Sequence, residues 1–120
     1  NNDGSVGYTD HKPGNDRGVI TPTAALSSFP YTPAESMKAL RYFYENKEWK
    51  DRLIGVAGPY DAFSPHHDWV TKRYLAIDQG TIVPMIENHR TGFLWKLFMQ
   101  APEIQQGLKT LGFSSTQYGF

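Results

Sequence analysis

Residues 58–103 read GPYDAFSPHHDWVTKRYLAIDQGTIVPMIENHRTGFLWKLFMQAPE, and their reading decides the fold. The first half sets Tyr60, Phe63, Trp69 and Tyr74 among Asp61, His66, His67, Asp68 and Arg73 without a clear period, which predicts an irregular loop. The second half is a nearly continuous apolar pattern opened by Asp78-Gln79-Gly80, which predicts a long helix. Ile82, Val83, Met85 and Ile86 spread around much of that helix instead of lining one stripe. A helix apolar on most sides is buried on most sides, and three or four helices cannot easily surround it. Additional chain is therefore expected. An aromatic, carboxylate-bearing loop that leads into the start of a buried helix is also a common way to build a carbohydrate site. Flat rings stack on sugar faces, while carboxylates bind hydroxyls and carry protons.

Working outward, Asp78 can accept amide hydrogens at the positively polarised helix start. Pro84 lacks a donor hydrogen and is expected to kink or interrupt the helix. Thr91-Gly92 permits a bend before a further helix from Phe93 to Gln100, whose apolar face is Phe93, Leu94, Leu97 and Phe98. Ala101-Pro102-Glu103 opens a last helix through Ile104, Leu108 and Leu111, with Gly112 as its terminator. Upstream, Thr32-Pro33-Ala34-Glu35 is a start signal: Thr32 caps, Pro33 suits the first turn and Glu35 returns a hydrogen bond to the Thr32 amide. Met37, Leu40, Phe43 and Tyr44 then recur at helical spacing, giving a helix from Pro33 to about Asn46. Thr21-Pro22 begins a short helix within residues 20–29 that Pro30 ends. Glu48 to Tyr60 reads as a connector, and Trp69 to Leu75 as room for one helical turn. The expected class is all-α. Residues 1–20 form an irregular loop and residues 21–120 a helical part of a single, partial domain.

Composition narrows the function. Twelve Lys and Arg balance twelve Asp and Glu, so no electrostatic footprint favours nucleic acid or an anionic membrane. Cysteine is absent, which removes disulfides, thiol nucleophiles and thiolate metal sites. No apolar run approaches the roughly 20 residues of a membrane span. The chain opens on Asn1-Asn2-Asp3 with no methionine and no signal peptide, which suggests a processed or excised polypeptide.

A family resemblance sharpens these expectations. The run DGSVGYTDHKPGNDRGVITPTAALSSFPYTPAESMKALRYFYE, followed by YDAF, DWV, YLAIDQGTIVPMIENHRTGFLWKLFM and PEIQ, resembles the C-terminal part of a bacterial glycoside hydrolase group known as glucoamylase-like. That group includes endo-β-1,2-glucanases and domains of cyclic β-1,2-glucan synthases. The resemblance covers nearly the whole chain in order, and TPTAALSSFPYTPAESMKAL and AIDQG…MIENHRTGFLWKLFM are its most specific blocks. It implies an (α/α)6 toroid of which this chain is about the last third, with the substrate cleft at one end of the inner helices. It also implies a periplasmic or secreted setting. The chain departs from the family pattern at Thr81 and Pro84, which moves a proline deeper into the helix, and at His89, where an aromatic is more usual.

Glycoside cleavage needs one acid to protonate the leaving oxygen and a second group as base or nucleophile. Asp78, at an inner-helix start behind the aromatic loop, is the leading candidate, although an aspartate there can also serve only as a cap. Asp61, between Tyr60 and Phe63, is the second; it can bind sugar hydroxyls or simply hold a turn. Glu87 lies roughly 13 Å further along the helix than Asp78, and pairing with Arg90 explains it better. Tyr60, Phe63, His67, Trp69 and Tyr74 are the candidate substrate contacts, each of which could equally be core. His66, His67 and Asp68 are adjacent and cannot all converge on one ion. The spacing of Asp3, Asp10 and Asp16 fits no standard calcium loop, and Gly4, Gly7, Gly14 and Gly18 follow no strand that would make a phosphate cradle. No metal and no cofactor are expected.

The sequence thus reads as the C-terminal piece of a glycoside hydrolase acting on β-glucan, β-1,2-linked by resemblance. Its expected partners are an oligo- or polysaccharide and the remainder of the same polypeptide, which supplies a further carboxylate. On its own the piece is expected to be inactive. Transglycosylation, with a sugar hydroxyl in place of water, and a non-catalytic helical sugar-binding or interaction module are the alternative readings.

Overall fold

The computed structural model describes residues 12–120. The loop expected over residues 1–20 is described only from Lys12 onward, and Asp3 and Asp10 lie outside the described residues. Helices make up about half of the chain, joined by two short antiparallel hairpins. The helical framework agrees with the reading above, and the hairpins correct it.

Helix α1 (Pro22–Ser27) starts on a proline whose fixed φ suits a first turn. Helix α2 (Pro33–Glu45) also starts on a proline, yet the expected capping box does not form. The Thr32 hydroxyl turns back instead to the Ser28 carbonyl, 3.3 Å away, and lies 3.3 Å from the Ser36 hydroxyl. A short polar side chain beside a turn has competing backbone acceptors, and here the turn wins. Asn46 closes α2, and its side-chain oxygen accepts the Glu48 and Trp49 amides at 2.9 and 3.2 Å, which leads into the single turn α3 (Lys50–Leu53).

The segment read as a connector is structured. Strands β1 (Ile54–Gly55) and β2 (Gly58–Pro59) pair around a two-residue turn, with Gly58 at φ +100°, a conformation glycine adopts at little cost. Strands β3 (Ala62–Ser64) and β4 (Trp69–Thr71) form the second hairpin, with Phe63 opposite Val70 and Ser64 opposite Trp69. The helical turn expected after Trp69 is therefore a strand, as suits the β-branched and aromatic run Trp69-Val70-Thr71. On the other edge of β3, Ile20 and Phe63 exchange both backbone hydrogen bonds, at 2.7 and 3.0 Å.

These elements close around one core. Phe63 and Leu53 have no exposed surface, and Leu26, Phe29, Phe43 and Trp49 complete the cluster. The Phe63 ring meets Phe43 edge-on at 5.8 Å and Trp49 at 5.3 Å, arrangements that aromatic quadrupoles favour.

The remaining helices are open. Helix α4 (Ala76–Thr91) runs without interruption through Pro84. It packs on α1, with the Ser27 and Thr81 hydroxyls 2.7 Å apart and the Phe29 ring 5.8 Å from His89. Two of the family departures, Thr81 and His89, thus face α1 and the segment after it. Of the residues on α4 only Asn88 is buried, and Val83 stays 73% exposed, so the burial expected on most sides is not supplied by the described residues. Gly92, at φ +69°, ends α4 and begins α5 (Phe93–Met99), where the Asn88 side-chain oxygen accepts the Leu94 and Trp95 amides at 2.9 and 3.2 Å. Neither α5 nor α6 (Pro102–Thr110) contains a buried residue. The radius of gyration is 18.1 Å, against about 14 Å for a compact domain of this length. No helix among the described residues is long and apolar enough to cross a membrane.

Candidate active site

The site forms where the closed core meets the open helices. Asp61 follows the first hairpin and enters β3; its backbone amide donates to the Arg73 carbonyl at 3.0 Å, and only 2% of its surface is exposed. Asp78 sits in the first turn of α4, its amide donating to the Leu75 carbonyl at 3.0 Å. The helix cap is Leu75, so Asp78 is not the cap expected above, and no side chain caps this end. Its carboxyl is instead directed at Asp61, close enough for a side-chain hydrogen bond. That hydrogen bond is the main cause of a raised Asp78 pKa, followed by burial and by the negative charge of Asp61. Two carboxylates in contact cannot both stay ionised at low cost, which favours the protonated form of Asp78.

Tyr60 and Tyr74 stack beside this pair, with ring centroids 5.1 Å apart and planes inclined by 34°. The Tyr74 hydroxyl accepts the Ala57 amide at 3.3 Å. Both phenols crowd Gly55: a Cβ at that position would overlap the Tyr74 hydroxyl and stand 2.7 Å from that of Tyr60. Glycine is needed there because the first hairpin lies directly on the tyrosine pair. Tyr44 approaches the same group, and its pKa is raised by burial and by Tyr74. Gln79, next to Asp78, reaches back across the hairpin and donates from Nε2 to the Pro59 carbonyl at 2.6 Å.

The other candidates separate. Phe63 is wholly buried between Phe43 and Trp49 and has no face to offer a sugar; it is core. Trp69 and His67 belong to the far end of the second hairpin, where Ser64 pairs with Trp69 and its hydroxyl accepts the His67 amide at 3.3 Å. Three strand residues separate that end from Asp61, about 10 Å. His67 is exposed and packs edge-on against His66 at 4.8 Å. The tip is fastened by Arg52, which donates to the Asp68 carboxylate at 2.6 Å and to its carbonyl at 3.2 Å while covering the Trp49 ring at 4.5 Å. Glu87 pairs with Arg90 at 3.2 Å and accepts the Thr91 hydroxyl at 2.8 Å, as its spacing suggested. Among the described residues no three metal-ligating side chains cluster.

Sequence reasoning missed Gln79, Gly55 and Tyr44. Little that is local signals them, since each meets a residue 19 to 30 positions away: Gly55 and Tyr44 meet Tyr74, and Gln79 meets Pro59.

Comparison with known proteins gives the chain a lineage. Residues 1–102 match the model of the family Glycoamylase, described as "Putative glucoamylase". A solved Bacteroides uniformis structure of the same description is 60% identical, with a TM-score of 0.85 over 93% of this chain and 26% of that one. The endo-β-1,2-glucanase of Chitinophaga pinensis, solved with sophorotriose and glucose, is 53% identical, with a TM-score of 0.81 over 89% of this chain and 25% of its own. A curated relative from Parabacteroides distasonis, an exo-β-1,2-glucooligosaccharide sophorohydrolase, is 44% identical over 99 residues, which are 82% of this chain and 14% of that protein. The chain therefore spans about a quarter or less of the relatives it matches. It belongs to the glucoamylase-like family of that description.

Proposed function

We propose that this chain is part of the (α/α)6 toroid of a glycoside hydrolase acting on β-1,2-linked glucan, and that the seam between β3 and α4 is one wall of its cleft. The observation that carries the proposal is the contact between the Asp61 and Asp78 carboxyls, with the Asp78 pKa raised by it. A general acid must still hold its proton near the working pH, and a like-charged neighbour is a standard means to that end. Asp78, partly exposed in the first turn of α4, is then the proton donor to the glycosidic oxygen, and buried Asp61 is the group that keeps the proton on it.

The same contact limits what the pair does. Acid and base, or acid and nucleophile, flank the scissile bond roughly 5 to 9.5 Å apart. Carboxyls in hydrogen-bond contact are closer than that and act as one proton-holding unit. The opposing carboxylate belongs to other helices of the intact polypeptide, which also cover the apolar faces of α4 and α5. Tyr60 and Tyr74, stacked at 5.1 Å and half-buried, offer a partly exposed aromatic surface beside Asp78 for a glucose ring. The relatives' names, an endo-β-1,2-glucanase and a sophorohydrolase, support a β-1,2-glucan substrate.

The test is product analysis of the intact polypeptide on β-1,2-glucan. Asp78→Asn should lose on the order of 10²- to 10⁴-fold in turnover, the usual contribution of general acid–base catalysis, and Asp61→Asn should lose less. Unchanged turnover in both variants removes the assignment, and binding without turnover in the wild type favours a non-catalytic module.

A further inference from the structure

We propose that Gln79 is a positioning residue for the paired carboxyls: its side-chain bond to the Pro59 carbonyl sets how closely Asp61 is presented to Asp78. The inference rests on the reading of that pair as the proton-holding unit.

Asp61 stands on a short segment between the two hairpins, Pro59-Tyr60-Asp61. Pro59 is buried and has no amide hydrogen, so its carbonyl is the backbone polar group through which it can be anchored. Gln79 Nε2 donates to that carbonyl at 2.6 Å, a contact spanning 20 positions of sequence. Two residues on, the Asp61 amide donates to the Arg73 carbonyl at 3.0 Å. Gln79 lies in the first turn of α4 beside Asp78, and Arg73 lies in the short segment between β4 and α4, so both bonds tie the Asp61 segment to the chain that carries Asp78. Between them, the Tyr60 amide donates to the Leu53 carbonyl at 2.8 Å, holding the segment to α3 from the other side. Gly58 lies beside the amide: a Cβ built there would make ordinary contact with Gln79 Oε1, at 3.7 Å. Without the Gln79 donor the buried Pro59 carbonyl loses its partner, and the segment is free to move off the helix. The Gln79 amide bonds the Pro59 backbone, so its influence on the carboxyls passes through backbone placement.

The experiment compares Gln79→Met and Gln79→Glu in the intact polypeptide, hydrolysing β-1,2-glucan, with Asp78→Asn in parallel. Methionine keeps the length without a donor. Ionised glutamate keeps the shape and cannot donate, and it decides the matter if the methionine variant does not fold. The expected result is a kcat lower by on the order of 10- to 100-fold, the scale of a small misplacement of a reacting group. KM should stay within about 3-fold, because the lost interaction acts on the transition state alone. A wild-type kcat in a folded variant overturns the proposal, and so does a raised KM with unchanged kcat, which would make Gln79 a substrate contact. Normal kcat in Gln79→Met with a crippled Asp78→Asn overturns only the role of Gln79. Full turnover in Asp78→Asn overturns the site reading and this inference with it.

Discussion

Residues 20–71 and residues 76–113 are similarly rich in large apolar side chains, and the two regions use them in opposite ways. In the first, Leu26, Phe43, Trp49, Leu53 and Phe63 come from separate elements and meet in one core. In the second, the heptapeptide FLWKLFM of α5 is more apolar than any element of the first, yet none of its residues is buried; Phe98 remains 60% exposed, and Leu111 beyond α6 74%. Burial is thus decided by what the chain can fold back upon, not by how apolar a segment is. The first region turns back through two hairpins, and the second runs outward along successive helices. The candidate site lies on the boundary, with Asp61 supplied by the closed region and Asp78 by the open one.

The largest test of this contrast is Phe63→Ala. Removing a fully buried ring from between Phe43 and Trp49 should cost about 3–5 kcal/mol, read by denaturant titration of the intact polypeptide. A loss below about 1 kcal/mol would mean that the first region has no tightly packed centre. Phe98→Ala sharpens the contrast from the other side. In the free 120-residue chain it should change stability by no more than about 0.5 kcal/mol, whereas in the intact polypeptide, with other helices laid over α5, the cost should approach the buried-ring range of about 3–5 kcal/mol. Equal effects in the two settings would break the comparison.

At the boundary, Gly55→Ala should cost about 1–3 kcal/mol through overpacking, because the new methyl would overlap the Tyr74 and Tyr60 hydroxyls. The loss should appear as a lower melting temperature of the intact polypeptide. An unchanged melting temperature would show that the hairpin does not press on the tyrosines.

The smallest effect concerns Asp78 and pH. Its folded pKa is raised by the Asp61 hydrogen bond, burial and the Asp61 charge, so the folded protein holds this proton more firmly than the unfolded chain. The resulting stabilisation is complete below the unfolded carboxylate pKa of about 3.9. It is lost as pH rises through the higher folded value. Asp78→Asn keeps a hydrogen-bond donor for Asp61 and removes the titration. Melting temperatures of wild type and variant should therefore diverge in the variant's favour by a few degrees as pH rises from about 4 to neutrality. A constant difference would dissolve the paired-carboxyl reading.

Much of this was legible in advance where a single element carries the information. The helix over Pro33–Glu45, the Gly92 bend and the Glu87–Arg90 pair each depend on spacing within one helix or its end, and each stands where periodicity put it. Thr32 and Glu35 had the letters of a capping box, but a carbonyl from the preceding turn took the Thr32 hydroxyl. The hairpins were hidden because strands of two or three residues are too short to show a period, and because Gly55, Gly58 and Pro59 look like breakers until they are paired.

For the site, the amino-acid order alone determined the cast: two aspartates, an aromatic loop and an apolar helix, in a family whose blocks are recognisable by eye. Only the tertiary structure decided the parts. It laid Asp61 against Asp78, stacked Tyr60 on Tyr74, sent Phe63 inward and His67 and Trp69 to the hairpin tip, and tied Gln79 to Pro59. The physical reason is range. Helix spacing and caps are set by neighbours within a turn, whereas a pair of carboxyls 17 positions apart is brought together by two hairpins and a helix start whose relative placement no local pattern records.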